Sequence, residues 1–280
     1  MTDKNDALGN RMKQHEAVPK KHLCRRIPVI VRCDGRAFHS FCKRFEKPYD
    51  ANFHQVMNKV MEHLCLKIQG VKFAQRHSDE MSFLLTDYDT LTTDAYFDYN
   101  VDKINSTVAA MATAEFCKQL VLQNQRNATL CLSEDSGNLV PEADPVLSFE
   151  EDWPTFDCRC FNLPESEVAS YYWWRLLDSK RNSINMQAQD KFSHKQLQGK
   201  TCEQMQEMLF KEHGINWGKL PAEVKAGFVC YRENVKKVVE KGPNAGKEFE
   251  RSVWKASPAP STKQGLDLSL EAALTTPILA

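Results

Sequence analysis

The sequence has no Cys-x-x-Cys pair and no excess charge of either sign, with 37 Lys and Arg against 37 Asp and Glu. No apolar run approaches the roughly 20 residues that cross a bilayer, and the opening Met1-Thr2-Asp3-Lys4-Asn5-Asp6 has no apolar stretch behind a basic start. Neither a membrane partner nor a secretory leader is therefore expected, and the expected location is the cytoplasm. Ten cysteines are present, most in apolar company, which fits free buried thiols in a reducing compartment, with a zinc site as the alternative. Cys158 and Cys160, one residue apart, would share a face of a strand.

A neutral total does not bear on nucleic-acid binding, which depends on a local patch. Arg11, Lys13, Lys20, Lys21, Arg25 and Arg26 form one basic cluster; Lys180, Arg181, Lys191, Lys195 and Lys200 form another. Taken alone, either is read more simply as scattered solvated surface. With 280 residues, 42% hydrophobic and 26% charged, the chain suits one large domain with an elaborated second half.

The β-branched run Ile27 to Cys33 predicts a strand, broken by Asp34-Gly35-Arg36. Val56, Met57, Val60, Met61, Leu64 and Ile68 have helical spacing, closed by Gly70. Two short strands, Val71 to Ala74 and Met81 to Leu85, flank a polar hairpin tip over Gln75 to Glu80. A second long helix is expected from about Tyr96 to Gln125. From Leu132 to Thr155 Ser, Asp, Glu, Gly and Pro predict an irregular insert. Phe156 to Leu163 alternates as a strand does, and Pro164-Glu165 opens a helix reaching about Phe192. A short helix over Cys202 to Glu212 and a strand or hairpin arm over Val229 to Val239 follow. The tail rich in Pro, Ser and Thr is expected to be mobile. The expected divisions are 1–135 and 156–250 as two halves of a catalytic domain, 136–155 as an insert and 251–280 as a flexible tail. The βαββαβ order predicts an α+β fold, a ferredoxin-like antiparallel sheet with helices on one face, the layout of nucleotide-polymerising palm domains.

Chemistry is suggested by three acids, Asp34 at the end of the first strand and Asp79 with Glu80 at the hairpin. If the hairpin lies beside the first strand, the carboxylates converge and repel unless a cation sits among them. Magnesium commonly binds through one or two carboxylates plus substrate phosphates, and two such ions clamp both oxygens of a phosphoryl transfer. An isolated Asp-Gly more often serves a turn, and an isolated Asp-Glu a solvated tip; it is their combination that raises the metal reading. After Asp34, Gly35 can turn the backbone to present N–H groups to an anion, Arg36 adds charge, and Phe38 or His39 can stack on a base.

Three motifs decide between these readings. Arg32-Cys33-Asp34-Gly35-Arg36-Ala37-Phe38-His39-Ser40-Phe41, then Lys47-Pro48-Tyr49-Asp50, then Ser78-Asp79-Glu80-Met81-Ser82-Phe83 resemble the tRNA-His guanylyltransferase superfamily, whose pattern is R-x-D-G-R-x-F-H-x-F, K-P-x-D and S-D-E-x-S-F. Leu8 to Lys13 with Glu16, and Trp174-Arg175 with Asp178 and Asn182, extend the similarity over about residues 6 to 233. The resemblance implies a palm-like fold. Asp34 and Asp79, with the Gly35 carbonyl, would ligate two Mg2+ ions. Asp34, Gly35, Arg36, Ala37, Phe38, His39, Ser78 and Asp79 would bind the nucleotide triphosphate. Lys47 and Asp50 would lie near a second nucleotide, and Glu80 beside the metals among the catalytic acids. Arg175, Asp178 and Asn182 would face substrate. GTP and ATP would be substrates, tRNA the partner, and a homotetramer the assembly.

One departure is informative. Dedicated histidine-tRNA enzymes carry His-Ile-Asn-Asn after the acid of the later helix, where this chain has Ser179-Lys180-Arg181-Asn182-Ser183-Ile184-Asn185. That stretch, with Leu197-Gln198-Gly199-Lys200 and Gly214-Ile215-Asn216-Trp217, looks like the bacterial and archaeal relatives that extend 5′-truncated tRNAs in the 3′-to-5′ direction. The resemblance thus implies template-dependent 5′-end repair. The rival readings are another palm-type nucleotidyltransferase or cyclase, and a non-catalytic tRNA-binding protein.

Overall fold

The computed structural model describes residues 6–134, 153–238 and 246–275, with side chains in the first stretch described through residue 126. In chain order the elements are α1 (Ala7–Ala17), β1 (Val29–Arg36), α2 (Phe38–Phe41), α3 (Ala51–Lys67), β2 (Val71–His77), β3 (Glu80–Leu85), α4 (Val101–Glu134), β4 (Thr155–Asn162), α5 (Glu165–Lys191), α6 (His194–Leu197), α7 (Cys202–His213), α8 (Ala222–Ala226), β5 (Phe228–Val238), β6 (Glu248–Pro258) and α9 (Lys263–Thr275). The expected insert lies outside the described residues over 136–152, while its first residues, Leu132 to Glu134, continue α4.

The strands form one antiparallel sheet in the order β4-β1-β3-β2-β5-β6. Alternation in β1 sends Val29, Val31 and Cys33 to one face and Ile30 to the other. The first face packs α3 and α4, through Met57, Val60, Met61, Leu64, Ile104, Val108 and Phe116. The second packs α5 and α9, through Val168, Tyr172, Leu176, Leu266 and Leu270. Helices therefore cover both faces, not the single face expected. The reason is legible in β1 itself, whose run from Val29 to Val31 is fully buried with no polar alternation.

Local chemistry sets the helix ends. The Asp50 carboxylate accepts from the Phe53 N–H at 2.7 Å and caps α3. Thr201 and Gln204 form a capping box for α7, which ends on Gly214 at φ 68°. The C-terminal part of α5 with α6 and α7 closes a separate small core of Ile184, Ala188, Phe192, Leu197, Met205 and Leu209.

Two expectations are corrected here. The polar stretch Gln75 to His77 is not a hairpin tip but the end of β2, with Gln75 and Arg76 buried; the turn is only Ser78-Asp79. The tail, expected to lack regular structure, carries a strand and a helix through Thr275: β6 pairs with β5 along eleven residues, and α9 buries Leu266, Leu270 and Ala273. These three lie at i, i+4 and i+7, an apolar stripe that outweighs the surrounding Pro, Ser and Thr. A chain ending at Pro258 is expected to lose about 4–6 kcal/mol of stability from that stripe alone. Thermal unfolding checks it; a truncated chain melting with the full one would refute the packing of α9.

Candidate active site

β1 lies between β3 and β4, so Asp34 and Gly35 sit at the end of a strand paired on one side with β4 (Asp34 opposite Asp157) and beside the β2–β3 turn on the other. That turn carries Ser78, at φ 51°, and Asp79. Asp34 and Asp79 line the same cavity of about 530 Å³. The close approach is visible at Gly35: a Cβ there would stand 2.7 Å from Asp79 Oδ2 and 2.3 Å from Phe38 Cδ2, so no larger residue fits. Burial first, and the Asp34 charge second, push the Asp79 carboxyl up to about 6.

The loop after Asp34 forms the cavity's second wall. Ala37 takes a left-handed backbone, φ 58°, at the start of α2, a conformation a non-glycine residue adopts at a cost. It is held by Phe38, which is 3% exposed and packs against Phe41, Phe53, Phe116 and Phe156 with ring centroids 5.0–6.4 Å apart. Phe38 is therefore an anchor of the loop in the core and offers no free face for a base. His39 and Lys47 are exposed and line the cavity, as do Cys42, Phe45, Glu46, Pro48, Asp50 and His54. The peptide bond between Lys47 and Pro48 is cis.

The cavity brings together Asp34, Gly35, Ala37, Phe38, His39, Lys47, Asp50, Ser78 and Asp79 of the expected residues. It does not include Arg36, Glu80, Arg175, Asp178 or Asn182. Arg36 is exposed at the outer end of β1. Glu80 is the next residue along β3 from Asp79 and is turned away: Arg175 Nε donates to its Oε1 at 2.6 Å, and Arg175 Nη2 and Arg32 Nη2 donate to its Oε2, the former at 2.7 Å. Burial raises its pKa, opposed by those two guanidiniums. Asp178 accepts from Arg175 at 2.9 Å and from Arg181, and Asn182 is exposed. The contribution of α5 to the cavity comes later in the helix, from Met186, Gln189 and Asp190, which sequence reasoning missed. Extending the Asp178–Asn182 spacing by one and two turns would have reached them.

Of the first basic cluster, two members are committed internally. Arg25 donates to Asp87 and Asp98, and the Arg26 guanidinium to the carbonyls of Thr90 and Leu91. Among the described residues no group of three His, Cys, Asp or Glu side chains gathers as a metal site. The donor set that does converge is two carboxylates facing an open cavity. It suits a hard ion completed by phosphate and water oxygens rather than an all-protein cage.

A bacterial tRNA(His) guanylyltransferase-like protein solved in complex with ATP superposes with a TM-score of 0.72 at 33% identity, covering 93% of this chain and 99% of that one. One solved in complex with GTP gives 0.72 at 30% identity, covering 96% and 99%. The tRNA(His) guanylyltransferase of Saccharomyces cerevisiae is 28% identical over 219 residues, 73% of this chain and 82% of that protein. The family model described as tRNAHis guanylyltransferase matches residues 9–164, more than half of the chain. This chain belongs to the tRNAHis guanylyltransferase family, and so to the tRNA 5′-nucleotidyltransferase enzymes.

Proposed function

We propose that the protein is a magnesium-dependent nucleotidyltransferase that extends the 5′ end of tRNA in the 3′-to-5′ direction, repairing 5′-truncated tRNA against the opposite strand. The observation that carries this reading is the convergence of Asp34 and Asp79 on one nucleotide-sized cavity. The strand order β4-β1-β3-β2 with α3 and α4 on one face is, on this reading, a palm, with β5, β6, α5 and α9 added to it. The family's solved ATP and GTP complexes support both nucleotides as substrates, and the resemblance supports a cytoplasmic homotetramer.

In this reaction the 3′-hydroxyl of an incoming nucleotide attacks the activated 5′ phosphorus of the tRNA. An O–P bond forms and the bond to the leaving AMP or pyrophosphate breaks. Asp34, Asp79 and the Gly35 carbonyl would hold two Mg2+ ions, which when bound lower the pKa of the attacking hydroxyl and stabilise charge on the leaving group. The protein's own residues supply position. The Asp34–His39 loop, fixed by Phe38, presents its backbone to phosphate, while Lys47 offers a charge at the rim. Met186 and Gln189 on α5 close the far side. Glu80, with both oxygens bound by arginines, acts by holding the start of β3.

Incubating the protein with a mixed pool of intact and 5′-truncated tRNAs and all four NTPs, then sequencing the 5′ ends, tests the proposal. Added nucleotides complementary to the opposite strand, dependent on Mg2+, are expected. Cyclic or dinucleotide products formed without RNA would favour a cyclase or ordinary polymerase, and tRNA binding without turnover would refute the enzyme.

A further inference from the structure

Arg76 breaks a rule that the rest of the core obeys. Its side chain is fully buried, 0% exposed, yet its hydrogen bonds all go to uncharged groups. Nε donates to Asn58 Oδ1 at 2.9 Å, and Nη1 to the Ser78 carbonyl at 2.9 Å. Both terminal nitrogens reach His54 Nδ1, at 3.3 and 3.2 Å, and Nη2 the His54 carbonyl at 3.4 Å. The guanidinium also lies 4.7 Å from the centroid of the Phe228 ring. A buried cation without a bonded carboxylate costs stability. Violations of this kind concentrate where function requires them.

What Arg76 gains is control of the turn. Ser78 sits at φ 51°, a left-handed conformation that a serine does not hold by itself. Its carbonyl is pinned by Nη1, which sets the direction of the next peptide and so aims Asp79 at Asp34. The other end of the fork is fixed to α3 through His54 and Asn58. His54 is kept neutral, its pKa pushed down to about 2 by burial and by the adjacent guanidinium, so Nδ1 is free to accept. The His54 ring in turn stacks on Tyr49, 4.1 Å between centroids and 10° from parallel, beside Lys47 and Pro48 on the opposite cavity wall. One guanidinium thus ties the Asp79 turn, α3 and the Lys47–Asp50 wall together.

We infer that Arg76 is a positioning residue for nucleotide transfer, holding the Ser78–Asp79 turn so that the two carboxylates face each other. The inference rests on the function proposed above. Arg76→Met is expected to lower kcat on the order of 10²-fold, the scale of a misplacement of about 1 Å. The thermal midpoint should fall only modestly, because relief of the buried charge offsets part of the cost of leaving Asn58, His54 and the Ser78 carbonyl without their donor. Amide exchange should accelerate at residues 78–80 and stay at the wild-type rate along β1. A merely structural arginine predicts instead faster exchange throughout α3, with kcat per folded molecule retained. Wild-type kcat and wild-type exchange at the turn would overturn the inference. If Arg76→Met does not fold, Arg76→Lys carries the test. A single ammonium cannot serve Ser78, His54 and Asn58 together, so kcat should fall severalfold with faster turn exchange, and wild-type values for both would overturn the inference. Inactivity of the wild type in the same assay would count against the proposed function instead, and the exchange measurement would still decide the role of Arg76.

Discussion

Asp79→Asn is expected to reduce 5′ nucleotide addition by roughly 10³-fold or more, while the ligand-free protein becomes more stable. Both effects have one cause. Burial and the nearby Asp34 charge push the Asp79 carboxyl up to about 6, from an ordinary value of 3.8. The charged form is thus less favourable in the folded chain than in the unfolded one. As pH falls from above 6 toward 4, the folded protein takes up its proton before the unfolded chain does, so the ligand-free stability rises over that window. An amide of the same shape removes the repulsion and the pH dependence with it. Nucleotide incorporation and thermal midpoints measured between pH 4.5 and 8 check both halves, with Asp34→Ala as the companion variant. Full activity in either variant would end the two-ion reading.

Glu80→Ala is expected to act on the fold first. The carboxylate is bound by Arg32 and Arg175, whose side chains are 21% and 10% exposed, and its removal leaves two poorly solvated guanidiniums side by side. Breaking such a cluster from one side costs about 3 kcal/mol, a fall of about 6–12 °C in the midpoint for a chain of this size. The combined variant Glu80→Leu with Arg175→Met should lose less than the sum of its parts, since the two groups no longer strand each other, although Arg32 is still left without its carboxylate. Denaturant unfolding of the single and double variants measures the difference. A Glu80→Ala protein of undiminished stability that has lost activity would return Glu80 to the reacting groups.

The two features that define the cavity were legible in sequence because both are local. A β-branched run ending in Asp-Gly places an acid at a strand end, and Ser-Asp-Glu between two short strands places another at a turn. What sequence could not show was which neighbour each side chain would find. Glu80 reads as a third acid beside Asp79, but its partner Arg175 lies 95 residues away, and only the packing of α5 on the second face brings them together. Phe38 reads as a stacking residue, yet Phe41 one turn on and three phenylalanines farther along the chain, Phe53, Phe116 and Phe156, surround it. Gln75-Arg76-His77 reads as solvated because polar residues usually are; here α3 and β5 cover it. The tail is a different failure. Leu266 and Leu270 carry a helical spacing that the surrounding Pro, Ser and Thr obscure. The inclusion of Met186, Gln189 and Asp190 required knowing which turn of α5 meets the cavity, which the packing of that helix sets.

The two carboxylates are mounted unequally. Asp34 belongs to a strand with a hydrogen-bonded neighbour on each side, whereas Asp79 rides on a two-residue bend secured by one guanidinium. Any adjustment to an arriving nucleotide therefore falls on a single jaw of the vice, with the other as a stationary reference. Sequence drift around Asp34 should then disturb folding, and drift beneath Asp79 should retune the grip while the architecture stands.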